Sequence, residues 1–123
     1  MSAAITHLHP RRHCLNLTVR GNVFVRRVVF KAKKAVGVEV ESGGEIFTVE
    51  AERVVLSAGA IKSPHILMLS GIGQKAQLAQ WGIPLVHELP GVGENLLNHL
   101  AAQITFKVKD GKSLVTGIET ARY

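Results

Sequence analysis

The chain has 123 residues, 46% of them hydrophobic, and a formal net charge of +6. This size is sufficient for one small domain, whose core would bury about two thirds of the surface that the unfolded chain exposes. Its one cysteine, Cys14, excludes an internal disulfide bond, and the lack of a Cys-x-x-Cys pair argues against a zinc or dithiol redox site. No apolar run approaches the roughly 20 residues of a membrane helix, and Met1 to Ile5 is too short for a signal peptide. We therefore expect a soluble, cytoplasmic protein.

The positive charge is concentrated at the start of the chain. Residues 1 to 34 contain no Asp or Glu and eight basic residues, namely Arg11, Arg12, Arg20, Arg26, Arg27, Lys31, Lys33 and Lys34. Such a block is compatible with a polyanion partner such as nucleic acid, but it is also typical of a solvated face of a β-ribbon. Aromatic residues make up only 5% of the chain, too few for the stacking platform of single-stranded nucleic-acid binders. We expect no nucleic-acid partner. The functional alternative is a non-catalytic basic module that binds a polyanion such as nucleic acid.

Residues 23 to 51 predict a three-stranded β-meander. Val23 to Lys31 is rich in β-branched and aromatic residues, while Ala35 to Glu41 and Glu45 to Glu50 alternate between apolar and polar residues. Two turn signals separate these runs, Lys33-Lys34 and the hairpin sequence Ser42-Gly43-Gly44. An isolated three-stranded ribbon is only marginally stable, so we expect it to pack on another element.

A strand, a turn and a helix are predicted after the meander. Arg53 to Leu56 is a short β-branched and apolar run, the pattern of a strand inside a parallel sheet. The run ends in small residues, Ser57 to Ala60, which allow a ligand or another backbone to come close at the carboxyl end of the strand. Ser63 and Pro64 then predict a helix start, with the serine as N-cap and the proline in the first turn, and Gly71 predicts the end of the helix.

A second short helix is predicted over Gln74 to Trp81, ended by Gly82. The residues from Gly71 to Ala76 also fit the G-x-G-x-x-A dinucleotide fingerprint. We reject that interpretation, because the fingerprint requires a preceding strand and Ser63-Pro64 predicts a helix there. Farther on, the glycines of Gly91-Val92-Gly93 permit positive φ or close approach to another backbone.

Several of these residues resemble a known family. The similarity, in identity and spacing, is to the second signature of the glucose-methanol-choline (GMC) family of flavoprotein oxidoreductases, and it is carried by Gly59-Ala60, Ser63-Pro64, Ile66-Leu67 and Ser70 to Gly73. Flanking segments also resemble the family: Leu8-His9-Pro10, Asn16 to Val19, Trp81 to Pro84 and Leu89 to Leu96. One triplet departs, since Leu97-Asn98-His99 stands where the family usually has Gln-Asp-His.

The resemblance implies an α/β fold: a fragment of a Rossmann-like FAD-binding domain with a β-meander, one parallel-sheet strand and two short helices. Residues 1 to 100 would form the partial FAD-binding domain, in which the meander is the crossover to the sheet strand. Residues 101 to 123 would begin the substrate-binding domain, with Gln103 to Lys109 as its first strand. A fragment of this kind leaves sheet edges and helix faces uncovered, so we expect aggregation or dependence on a partner chain.

The cofactor that the resemblance implies is FAD, bound in part by four residues of this chain. The family carries a valine in the first meander strand whose main-chain amide and carbonyl bind the adenine edge, and Val25 is the matching position. An exposed main-chain donor and acceptor pair is chemically suited to that edge. The small residues Ser57, Ala58 and Gly59 are the other expected cofactor-binding positions.

The resemblance further implies oxidation of the CH–OH group of an alcohol, as in choline or alcohol dehydrogenases. In the family a histidine, paired with a second histidine or an asparagine, accepts the alcohol proton while hydride passes to the flavin. That pair belongs to a far C-terminal segment that has no match here, and His99 matches a loop histidine that is not the base. We assign no catalytic residue and no metal ligand, and we expect the isolated chain to be inactive.

Overall fold

The computed structural model describes residues 2–102 and 104. The chain opens with a π-helical turn, Ala4–Leu8, and a 3-10 turn, His9–Arg11, neither of which contains a buried residue. The predicted strand over residues 103–109 lies outside the described part of the chain, apart from Ile104, which belongs to no helix or strand.

The predicted meander is confirmed. Three antiparallel strands follow one another in the order β1-β2-β3, with the bounds β1 Phe24–Lys31, β2 Lys34–Ser42 and β3 Glu45–Glu50. The first turn is Ala32-Lys33, one residue earlier than predicted, and Ala32 adopts a φ of 56° there. The second turn has positive φ at both Gly43 (61°) and Gly44 (84°), which is the two-residue hairpin geometry that matches the twist of the strands.

One face of the meander supplies part of the small core. Register places Val25 opposite Val40 and Val28 opposite Val38, so these four valines share a face. Val28 and Val40 retain only 5% and 2% of their exposure. Removing a valine side chain from water is worth about 1.5–3 kcal/mol, so this face stabilises the ribbon where helix α1 packs against β1.

Helix α1 spans Gly59–Leu69 and begins four residues before the predicted start. The sequence interpretation was wrong because Ser63 acts from inside the helix: the N–H of Ala58, the N-cap residue, donates to Ser63 Oγ at 3.0 Å. Pro64 consequently lies inside the helix rather than in its first turn, and its missing N–H removes the bond that the Ala60 carbonyl would accept. The predicted stop is confirmed, since Gly71 follows the helix with a φ of 84°.

The predicted parallel strand over residues 53–56 is not formed within the described chain. None of these four residues belongs to a strand, and Val55 is 77% exposed. A strand exists only through hydrogen bonds to a neighbouring strand, and no described strand lies beside this segment. The β-branched pattern therefore indicates a strand propensity, but residues 53–56 have no strand to pair with in the described chain.

The remaining elements form a small unit after α1. Helix α2 spans Lys75–Gln80, which confirms the second predicted helix, and the short strands β4 (Ile72–Gly73) and β5 (His87–Glu88) pair in parallel. Residues 66–69 lie in α1, so the strand that the dinucleotide fingerprint requires is replaced by a helix, as the sequence predicts. Leu78, at 2% exposure, is the centre of this unit.

Candidate functional site

The outer edge of β1 is joined to the end of α1 by a buried serine. The N–H of Val28 donates to Ser70 Oγ at 2.8 Å, and the Ser70 hydroxyl donates to the Ile66 carbonyl at 2.5 Å. Ser70 is buried, and both hydrogen bonds of its hydroxyl are to main-chain groups. We call this arrangement the Ser70 latch. It fixes helix α1 to the edge of the meander that faces away from β2.

The same edge carries the main chain of Val25. On β2, the carbonyl of Val36 accepts the N–H of Ala51 at 2.9 Å, so the main-chain groups of Val36 point toward the β3 side. The direction of the main-chain groups alternates with period two along a strand, so those of Val40 also point toward β3. Val25 lies opposite Val40, and these two residues therefore exchange no main-chain hydrogen bonds. The N–H and carbonyl of Val25 therefore face the outer edge of β1, the geometry that the sequence interpretation requires of an adenine-reading position.

The second predicted cluster lies at the start of α1. Ser57, Ala58 and Gly59 are all exposed. Gly59 has a φ of 87°, and a Cβ built on it would meet nothing within 4 Å, so the space beside it is open. The N–H of Ala58 is already bonded to Ser63, and a ligand could use only the free N–H groups of the first helical turn.

The two predicted positions lie on different elements, Val25 on β1 and residues 57–59 at the start of α1. The latch holds β1 at Ser70, whereas Gly59 lies at the other end of α1, about 16 Å away by the rise of an α-helix of this length. No hydrogen bond within residues 2–102 joins Val25 to residues 57–59. The two clusters are therefore separate points, one on a strand edge and one at a helix start.

A groove of about 850 Å³ runs between α1 and residues 91–97. Pro64, Met68 and Leu97 contribute to its walls, and His65 is exposed at its rim. Gly93 allows the close approach that the sequence predicts, because its φ is 85° and a Cβ there would lie 3.4 Å from the Met68 methyl group.

Two arginines of β1 are neutralised by two glutamates of β2. Arg27 binds Glu39 through Nε and a terminal nitrogen, at 3.1 and 2.8 Å, while Arg26 binds Glu41 at 2.7 Å and approaches Glu39 at 3.6 Å. The hydrogen bond from Arg27 is the main cause that lowers the pKa of the Glu39 carboxyl, and the same bond raises the pKa of Arg27. Part of the basic block is therefore compensated within the sheet.

Metal and membrane features are not observed in the described residues. Within residues 2–102 and 104, no three His, Cys, Asp or Glu side chains cluster closely enough to hold a metal ion. In the same part of the chain, every helix is too short or too polar to cross a bilayer. Cys14 is an exposed free thiol.

Two structural features of this region were missed by the sequence interpretation, the Ser70 latch and the arginine–glutamate pairs. The doublet Arg26-Arg27 between Val25 and Val28 was a usable signal, because two consecutive polar residues interrupt the period of two that a regular half-buried strand requires. No local pattern marks Ser70, whose partner Val28 lies 42 residues earlier.

Comparison with known proteins shows the family. The sequence model of the GMC oxidoreductases matches residues 1–101, and the chain belongs to that family. An oxygen-dependent choline dehydrogenase of Photobacterium profundum is 57% identical over 86 residues, which are 69% of this chain and 15% of that protein. An oxygen-dependent choline dehydrogenase of Staphylococcus aureus (strain MSSA476) is 42% identical over 123 residues, covering 99% of this chain and 21% of that protein.

Solved structures agree with the family assignment. Pyridoxine 4-oxidase from Mesorbium loti superposes with a TM-score of 0.69 and 33% identity, over 73% of this chain and 18% of that one. An FAD-dependent oxidoreductase from Chaetomium thermophilum gives a TM-score of 0.68 and 32% identity, over 72% and 16%. The chain thus spans about a fifth or less of the length of these relatives.

Proposed function

We propose that this chain forms part of the FAD site of an oxidoreductase that acts on the CH–OH group of an alcohol such as choline. Membership of the GMC family and the similarity to choline dehydrogenases support the reaction class. The observation that carries the cofactor proposal is the main chain of Val25, which presents a donor and an acceptor to the outer edge of β1.

Each of the four proposed residues has its own role in binding FAD. The N–H of Val25 would donate to a ring nitrogen of adenine, and its carbonyl would accept from the exocyclic amine. Ser57, Ala58 and Gly59 would let the cofactor approach the helix start, where Gly59 leaves open space. When bound, FAD supplies hydride acceptance, and the protein supplies binding and orientation.

We assign no general base to this chain. A base must reach the substrate hydroxyl opposite the flavin, and the histidine pair that serves as base in the family has no matching position in this sequence. We propose that the catalytic groups belong to segments present in the longer relatives. Exposed Val55, Ile61 and Leu97 would be covered in the same way, by those segments or by a partner chain.

The first experiment is an absorbance spectrum of the purified chain mixed with FAD and then separated from free ligand by gel filtration. Flavin absorbance between about 350 and 500 nm should co-elute with the protein. A colourless protein fraction at saturating FAD would contradict the proposed cofactor role of this chain. Alcohol-dependent reduction of an acceptor by the same preparation would contradict the proposal that the catalytic groups lie elsewhere.

Salt distinguishes this proposal from the basic binding module. Binding of a polyanion through Lys and Arg weakens steeply as salt rises, whereas recognition of adenine by main-chain groups should change little. Neither the FAD-binding proposal nor the basic module predicts that the chain retains a DNA oligonucleotide at high salt. Tight oligonucleotide binding at low salt, lost at high salt and unaccompanied by flavin binding, would favour the basic module.

A further inference from the structure

The strand that carries Val25 contains an extra residue at one position. Val25 lies opposite Val40 and Arg27 lies opposite Glu39, so two steps along β1 correspond to one step along β2. Arg26 is therefore the additional residue of a β-bulge.

This extra residue decides which way Val25 faces. In an uninterrupted strand, residues three apart point their side chains to opposite faces and their main-chain groups to opposite edges. Val25 and Val28 are three apart, yet they share the face of Val40 and Val38. Val28 directs its N–H to the outer edge, where it meets Ser70. Without the bulge, Val25 would direct its N–H and carbonyl toward β2 instead.

Glu39 is the group that holds the bulge. Its carboxylate lies opposite the doubled position and binds both residues of the doublet, Arg27 through two hydrogen bonds and Arg26 at 3.6 Å. Arg26 also reaches Glu41, which anchors its side chain at 2.7 Å. Bidentate pairs of this type restrict both side chains to one geometry. The lowered pKa of Glu39 agrees with a carboxylate that is stabilised in its charged form.

We propose that Glu39 is a positioning residue for the cofactor site: by clamping the Arg26-Arg27 bulge, it sets the register that turns the Val25 main chain toward adenine. The inference rests on the proposed function, because it concerns the same adenine position. It assigns the specificity for the adenine edge to a carboxylate that does not itself touch the ligand.

The test compares AMP with IMP, titrated by calorimetry against the 123-residue chain. Adenine offers a donor at its exocyclic amine and an acceptor at the adjacent ring nitrogen, and hypoxanthine reverses both. A correctly turned Val25 should therefore prefer AMP. Glu39→Gln should weaken AMP binding about tenfold, the cost of one misaligned hydrogen bond, and leave IMP binding unchanged. The ratio of the two affinities is a readout that general loss of stability does not move.

Two further variants make the test independent of folding defects. Glu45→Gln removes an exposed carboxylate on the same ribbon that forms no ion pair within residues 2–102, and it should retain the AMP preference. The charge swap Arg27→Glu with Glu39→Arg rebuilds the ion pair between these two positions with its charges exchanged. It should restore the preference for AMP over IMP that Glu39→Gln loses.

The outcomes separate the two proposals. If the native chain prefers AMP and folded Glu39→Gln keeps the same preference, the positioning role is wrong while the adenine site stands. A swap variant that is folded by circular dichroism and still fails to discriminate also overturns the positioning role. If the native chain binds neither nucleotide, the adenine site itself is wrong, and the inference about Glu39 is overturned with it.

Discussion

The meander and the segment that follows it differ in how their main-chain groups find partners. Strands β1, β2 and β3 pair with neighbours that are joined by two-residue turns, so residues 24–50 find their partner strands locally. Residues 53–56 have an equally strong strand composition, yet the described chain gives them no partner. Parallel pairing needs a crossover of a dozen or more residues. The difference shows that strand propensity becomes structure only where the partner strand is supplied.

Amide hydrogen exchange should show the largest contrast between the two regions. The N–H of Val40, in the central strand, should exchange about a thousandfold more slowly than that of Val55. The Val40 N–H reaches solvent only when the ribbon unfolds, whereas Val55 is exposed in the folded chain. Mass spectrometry of peptides from residues 34–42 and 51–58 measures this difference. Equal protection of both peptides would mean that the second segment pairs with something in solution, such as a second copy of the chain.

Gly71→Ala should produce the next largest effect, confined to the unit after the meander. An alanine Cβ would clash with the Pro84 carbonyl and come within 2.9 Å of a Val86 methyl group, at a φ of 84°. Strain and overpacking together should cost about 3 kcal/mol of unfolding free energy. The matched control is Gly59→Ala, which has the same sign of φ but open space, and should cost about 1 kcal/mol.

Urea unfolding, followed by fluorescence of Trp81 and by circular dichroism of the ribbon, measures both glycine variants. Gly71→Ala should shift the tryptophan signal more than the ribbon signal. Equal losses for the two variants would contradict the close approach of Gly71 to residues 84–86 and leave backbone conformation as the shared cause.

The smallest expected effect is the pH dependence of the ribbon. The pKa of Glu39 is lowered in the folded chain, chiefly by its hydrogen bond from Arg27. Its contribution is therefore present above the ordinary glutamate pKa of about 4.3 and is lost as pH falls through the lower folded value. For an ion pair this exposed, the loss should be less than about 1 kcal/mol. Urea midpoints at about pH 6 and at about pH 3 measure the loss.

Glu39→Gln provides the comparison for this titration. The variant should lose less stability on acidification than the native chain, because the amide does not titrate. An identical acid response in both proteins would indicate that other carboxylates cause the destabilisation and that the clamp contributes nothing to the free energy of unfolding.

Regular local patterns predicted most of the elements, and the misplaced start of α1 has a local cause. Alternation and paired glycines predicted the meander and its second turn, and Gly71 predicted the end of α1. The start of α1 was predicted four residues late, because a serine before a proline is the usual N-cap signal and Ser63 instead reaches back to Ala58.

The cofactor-binding residues stay a prediction. Val25 was proposed through family resemblance, and the structure turns its main-chain N–H and carbonyl to the outer edge of β1. Glu39 and Ser70 bind this edge across 12 and 42 residues of sequence, from Arg27 and Val28. The Arg26-Arg27 doublet marks the first pairing in the sequence, whereas no local pattern marks the second.

The Ser70 latch has a consequence for how the ribbon resists aggregation. An unpaired strand edge is a template for another chain, and natural proteins block such edges with side chains, charges or covering elements. The serine hydroxyl occupies the Val28 position on the outer edge of β1, so an incoming strand cannot pair there without displacing it. The opposite edge, on β3, has no such cover in the described residues and carries a glutamate at each end, Glu45 and Glu50. A further strand therefore meets a blocked position at Val28 beside β1, whereas beside β3 it meets a negative charge at each end of the strand.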